Sequence, residues 1–375
     1  MKKWIFLLLL GAFLCFQCAN QPQSVSNENC DSVLTPDFAN GFLISYFVDY
    51  KKVTIFDPWH KNQTMAVYYL VKDTSIVTPC DGIKVKIPLK SIAVTSCTHV
   101  AFLDVLDCIS TITCISNPQL IYNQLVREMY RAKKIANIGD AYNINIESLL
   151  AQKPAAIMFA PYGQQDLINQ RTKKLSIPLI YNNEWMETNP LGRAEWVKMV
   201  AAFYDLEEKA NIYFDSIKKS YSNAQNIVKQ AISKPSILAG GNFKGTWYMP
   251  AGNSYMGTLF ADAGGDYLYA NDTAAGSLPL SFETVLLKFR DADVWLNAQG
   301  KSLQELSQSD SRSRLFKAFK IKQVYNFNAR TNAHGANDFW ESGTTRPDIL
   351  LKDFIWALHP QLMSDYTPYF ITKLE

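Results

Sequence analysis

Glu207-Glu208-Lys209-Ala210-Asn211-Ile212-Tyr213-Phe214-Asp215-Ser216-Ile217 opens a helical stretch that runs without glycine or proline to Gln230. Apolar residues recur along it at Ala210, Ile212, Tyr213, Ile217, Tyr221, Ala224 and Val228. At 1.5 Å per residue it spans roughly 36 Å. That is long for the crossover of one α/β unit and suits a rod joining two lobes.

The sequence on either side has the same character. Upstream, Ile92-Ala93-Val94, Ile135–Ile138, Ala155–Ala160 and Leu179-Ile180-Tyr181 are short apolar runs separated by helical segments. Downstream, Ser236-Ile237-Leu238-Ala239, Val294-Trp295-Leu296 and Gln323-Val324-Tyr325 repeat the pattern. Alternating strands and helices indicate parallel α/β packing. Asn189-Pro190 starts a helix, with Asn as cap and Pro in the first turn. Arg346-Pro347-Asp348 starts another, whose stripe is Ile349, Leu350, Leu351, Phe354, Ile355 and Leu358. Residues 41–87, rich in Tyr, Val and Ile, read instead as short antiparallel strands.

The fold class expected is therefore α/β: two Rossmann-like lobes joined by one long rigid helix, with an extra N-terminal β-rich segment. The division is 1–17 signal peptide, 18–40 tether, 41–87 β-rich extension, 88–205 N-terminal lobe, 206–232 linking helix and 233–375 C-terminal lobe.

The N-terminus supports export. Lys2 and Lys3 precede an apolar run from Trp4 to Phe16, too short for the roughly 20 residues that a membrane span needs. Cys18 follows, then a polar stretch, which resembles a bacterial lipoprotein signal and implies lipid attachment at Cys18. No second apolar run reaches spanning length. The expected location is the periplasm, with the body anchored to a membrane by that lipid.

Composition narrows the function. A net charge of +3 without a basic run argues against nucleic acid as a partner. The 48% hydrophobic and 13% aromatic content supports large cores. Of the seven cysteines, Cys30 and Cys80 are the expected bridge, since both flank the same early segment. Cys97, Cys108 and Cys114 lie in apolar surroundings as packed thiols. The histidines are scattered and H-E-x-x-H is absent, so no catalytic zinc or other resident metal is expected.

The two lobes share an internal echo. Asn145-Ile146-Glu147-Ser148-Leu149-Leu150 precedes the strand at Ile157, and Ser281-Phe282-Glu283-Thr284-Val285-Leu286 precedes the strand at Val294. Each places a glutamate in a first helical turn. The helix dipole alone accounts for about 0.3–1 kcal/mol of preference there. A matched pair, one per lobe, suggests a shared external role.

The chain here resembles the periplasmic substrate-binding proteins of ABC importers for iron–siderophore complexes, haem or cobalamin. The resemblance covers most of 86–375. It is strongest over Ser281–Trp295, over Thr246-Trp247-Tyr248-Met249-Pro250 through Asp262-Ala263-Gly264-Gly265, and over Asn337–Gly343 through His359-Pro360. It implies that Glu147 and Glu283 dock onto arginines of an ABC permease served by its ATPase. It departs at Pro154-Ala155, where the family usually has an acidic residue after the proline, and in the 41–87 segment, which is outside the shared core.

A cleft between lobes would hold the ligand on aromatic faces with a few polar groups. Candidate ligand-binding residues are Trp247, Trp340, Tyr248, Trp185, His99, Tyr122, Tyr162 and Phe339. Trp247 and Trp340 lead, because Gly, Asn and Thr surround them. The cargo expected is a metal chelate or corrinoid, bringing iron or cobalt with it rather than using a resident cofactor. A monomer is expected, and no enzyme. The alternative is an exported hydrolase acting on a glycan or ester, which would need a nucleophile and base or paired carboxylates; Gly-x-Ser-x-Gly is absent.

Overall fold

Helix caps written in the sequence set the first lobe. Ser96, Asn123 and Asn145 each accept a hydrogen bond from a backbone N–H two or three residues on. They start the helices Cys97–Val105, Gln124–Arg131 and Ile146–Gln152. With these helices go five parallel strands, in the spatial order Leu179–Tyr181, Ile157–Phe159, Ile92–Val94, Ile112–Ile115, Ala136–Asn137. Ile92–Val94 and Ile157–Phe159 are buried throughout, as expected of a sheet covered on both faces. The computed structural model describes residues 30–162 and 175–375. The signal segment and Cys18 lie outside the described residues.

The linking helix is Glu207–Val228, 22 residues long. Its buried stripe is Ala210, Phe214, Ile217, Tyr221 and Ala224. Ile212, expected on that stripe, is 66% exposed. It lies two residues from Ala210, about 200° around the helix, whereas Phe214 lies one turn on and takes the inner position.

In the second lobe Ile237–Ala239 pairs in parallel with Val294–Leu296, and Trp295 bridges to Val324. An antiparallel sheet of Gly241–Phe243, Thr246–Pro250 and Ser277–Leu280 extends from the end of the first of these strands. Gly240 makes the turn at φ +76°, where a Cβ would lie 2.0 Å from the Tyr248 carbonyl oxygen. The helices Phe282–Phe289 and Pro347–Leu358 form where expected, the latter burying Leu350, Leu351, Phe354, Ile355 and Leu358. The chain is thus a two-lobed α/β protein with a β-rich N-terminal segment.

That segment is a five-stranded sheet in chain order: Ser32–Leu34, Phe42–Tyr46, Tyr50–Phe56, Thr64–Val71 and Ile83–Lys86. All pairs are antiparallel except the last. It packs on the first lobe. The Tyr68 hydroxyl donates to the Leu179 carbonyl (2.7 Å) and accepts from the Tyr181 N–H (3.0 Å).

Two expectations are corrected here. Residues 30–40 are not all tether: Ser32–Leu34 is a strand, and the backbone of Asp37–Gly41 is captured by the body. Glu195 accepts from the N–H groups of Asp37, Phe38 and Ala39, and Glu187 from those of Asn40 and Gly41. Those carboxylates come from far along the chain and leave no local sign. Nor are Cys30 and Cys80 bridged; both are free. Cys30 precedes the first strand of the five-stranded sheet and Cys80 the last, which form its two opposite edges.

Candidate functional site

Parallel sheets place their working residues at the carboxyl ends of the strands. In the first lobe those ends lead to Cys97, Tyr162 and Trp185. The second lobe faces this edge. The Cys97 thiol lies 3.7 Å from the Trp340 carbonyl oxygen. The Arg193 guanidinium pairs with Glu184 (2.7 Å), reaches the Thr344 hydroxyl (3.4 Å) and stacks 4.1 Å from the Tyr255 ring centre. The Thr258 hydroxyl donates to the Thr188 carbonyl.

Glu341 closes the seam at another point. Its carboxylate accepts from the backbone N–H groups of Tyr122 (2.7 Å) and Asn123 (2.8 Å), across the lobes. Burial pushes its pKa up to about 7; the two N–H groups act against that, and Asp338 and Asp104 add to it. Beside it lies a polar hollow of about 440 Å³ lined by Asp104, Arg127, Tyr213, Arg330 and Asp338. Asp338 and Arg330 are already paired at 2.6 Å. A hollow of about 500 Å³ at Asp205–Ile212 sits at the start of the linking helix, away from the aromatic residues of the seam.

The aromatic candidates divide. Tyr162 is 64% exposed and stacks on Trp185 with centres 5.7 Å apart and planes at 24°. Trp59, which sequence reasoning missed, lies 6.3 Å from Trp185. Its signal is a long-range contact from the extension, invisible in a linear reading. Trp340 is 42% exposed and meets Phe339 edge-on at 4.7 Å. Phe339 itself is buried and stacked on Phe327. Tyr122 lies under the Arg330 guanidinium at 5.2 Å.

Trp247 and His99 do not line the cleft. Trp247 is 2% exposed; its ring packs against Trp295, Phe282 and Phe316 and donates to the Ala239 carbonyl. Successive residues of a strand point to opposite faces, so its neighbour Tyr248 is the one left 46% exposed. His99 is fully buried, with Nδ1 facing the Thr95 N–H, and burial pushes its pKa down to about 3. Phe339 serves as a buried support for Trp340 rather than as an open face.

Glu147 and Glu283 are both exposed, each the second residue of a short helix capped by Asn145 or Ser281. Among the described residues no cluster of three His, Cys, Asp or Glu side chains is placed to hold a metal ion. None of their helices is long and apolar enough to cross a membrane.

Residues 110–331 match the periplasmic binding protein family. A lipoprotein of Methanocaldococcus jannaschii is 26% identical over 304 residues, covering 78% of this chain and 71% of the relative. The periplasmic vitamin B12 binding protein of Vibrio cholerae superposes with a TM-score of 0.53 at 13% identity, covering 72% of this chain and 96% of that one. A protein of the ABC-type Fe3+-hydroxamate transport system of Saccharomonospora viridis gives 0.55 at 16%, covering 72% and 93%. The family and these neighbours are solute-binding proteins, not enzymes. With more than half of its length matched and its two lobes folded in this way, the chain belongs to the periplasmic binding protein family.

Proposed function

We propose that this protein captures an iron chelate or a corrinoid between its lobes and delivers it to the permease of an ABC importer. The carrying observation is the cluster of partly exposed aromatic rings, Trp185 with Tyr162 and Trp59, beyond the carboxyl ends of the first-lobe strands. Aromatic faces with few polar groups suit a large conjugated or hydrophobic-edged ligand. The fold shared with a vitamin B12 binding protein and an Fe3+-hydroxamate system supports the same class. Iron or cobalt arrives with the cargo. The protein acts as a monomer, held in the periplasm by a lipid on Cys18.

Docking falls to Glu147 and Glu283. Charges at two separated points fix orientation and speed association more than they add affinity. Both carboxylates are open to solvent, one on each lobe.

Titration of the purified body against cobalamin, haem and ferric siderophores, by tryptophan fluorescence and calorimetry, tests the cargo. One-to-one, submicromolar binding to one of them is expected; binding to none overturns the reading. Glu147→Lys with Glu283→Lys should abolish cellular uptake and leave cargo affinity unchanged. Normal uptake by the double variant would remove the docking assignment.

A further inference from the structure

Trp59 comes from neither lobe. It sits in the connection between strands Tyr50–Phe56 and Thr64–Val71 of the N-terminal sheet. That connection is tied down. One Asp57 carboxylate oxygen accepts from the N–H groups of Trp59 (2.8 Å) and His60 (3.1 Å), and the other lies 3.0 Å from His60 Nδ1. The Asp57 N–H donates to the Gln63 carbonyl.

The sheet is fixed to the same strand that leads to Trp185. Tyr68, in the strand entered from the Trp59 connection, bonds the backbone of Leu179 and Tyr181. Trp185 follows that strand by one short turn. The two indoles are therefore held in one frame. Their centres are 6.3 Å apart with planes tilted by 55°, and the Tyr162 ring stacks on Trp185 at 5.7 Å. These spacings let the rings support one another. Yet none of the three is buried, whereas Trp247 and Trp295 show how this chain packs an indole that belongs to the core. Tyr162 is exposed and the two indoles are half-buried, so the cluster keeps part of its apolar surface open to solvent, and a contiguous apolar patch of this kind points to a binding site.

We infer that the N-terminal sheet is a working part of the cargo site, with Trp59 completing a three-ring wall for a cargo that presents aromatic or conjugated ring faces. This rests on the transport reading above and names the cargo class: a corrin, a porphyrin or a tris-catecholate rather than a hydroxamate. Trp59 is then a specificity-determining residue outside the matched family region, which begins at residue 110.

The test uses Trp59→Ala and Trp59→Phe against cyanocobalamin, haemin, a ferric tris-catecholate and a ferric trihydroxamate, by calorimetry. Unchanged unfolding midpoints confirm that the variants fold. Loss of one stacking partner should weaken whichever of the corrin, porphyrin or tris-catecholate ligands binds by about tenfold in Trp59→Ala, while Trp59→Phe stays within about threefold of the wild type. Equal affinity in Trp59→Ala overturns the inference. So does a wild type that binds only the trihydroxamate, and both results leave the transport reading standing. A wild type that binds none of the four overturns the transport reading, and the wall with it.

Discussion

Trp247 and Tyr248 are neighbours with opposite fates. The indole completes the aromatic core of the second lobe, and the phenol faces out. Trp247→Ala should cost roughly 3–5 kcal/mol of stability. Tyr248→Ala should stay within about 0.5 kcal/mol of the wild type. Denaturant unfolding separates the two, and equal losses would refute the placement. The neighbouring Gly, Asn and Thr residues suggest an open site for Trp247, but strand register decided its face, and register is not a property of composition. His99 is a second residue whose surroundings are set by tertiary packing. Its pKa falls from 6.5 to about 3, because burial opposes the charge. The folded state refuses a proton that the unfolded chain accepts. The stabilisation from neutral His99 is present above about pH 6.5 and is lost as pH falls towards 3. Unfolding midpoints measured from pH 7 to pH 5 should therefore fall less steeply in His99→Gln than in the wild type.

At the scale of elements, the strands and caps were legible because their causes are local. Ile92–Val94, Ile157–Phe159, Leu179–Tyr181 and Ile237–Ala239 are short apolar runs, and each forms a strand. The strap at 37–41 was not legible. It depends on Glu187 and Glu195, which flank and enter the helix Pro190–Ala202 and read locally as ordinary helix-start and helix residues. Glu195 is fully buried and is also paired with Lys198 at 2.7 Å. Glu195→Ala would strand three backbone N–H groups and leave Lys198 unpaired, at a cost of roughly 3–5 kcal/mol. Urea unfolding measures the loss, and proteolysis should cut the variant first around residues 35–41. Wild-type resistance at that segment in the variant would show that the strap is held by something else.

The whole molecule is closed along a polar seam, and Glu341 makes that seam sensitive to pH. Its pKa in the folded protein, about 7, stands above the ordinary 4.5. Protonated Glu341 thus favours the folded, lobe-to-lobe arrangement. That contribution is fully present below about pH 4.5 and is lost as pH rises through 7. Glu341→Gln should flatten the change in unfolding midpoint between pH 5 and pH 8. An unchanged profile would mean that the seam does not sense the group. His99 acts in the opposite direction over pH 4.5–6.5, so the two are resolved only by their separate variants. None of this seam could be seen in the sequence. Glu341 meets Tyr122, and Arg193 meets Thr344, across more than 100 residues of chain. Two lobes and a rod follow from local pattern, whereas the fit between the lobes does not.

The strap also has a mechanical meaning. Tension on the chain ahead of residue 30 reaches first the edge strand Ser32–Leu34, which is joined to its neighbour by three residue pairs and can peel one pair at a time. Peeling then stops at Asp37, where two carboxylates grip five consecutive amide groups at once. A leash fastened ahead of residue 30 would therefore strain the strap before it strained the strands behind Trp59, and the cargo wall would keep its shape under pull.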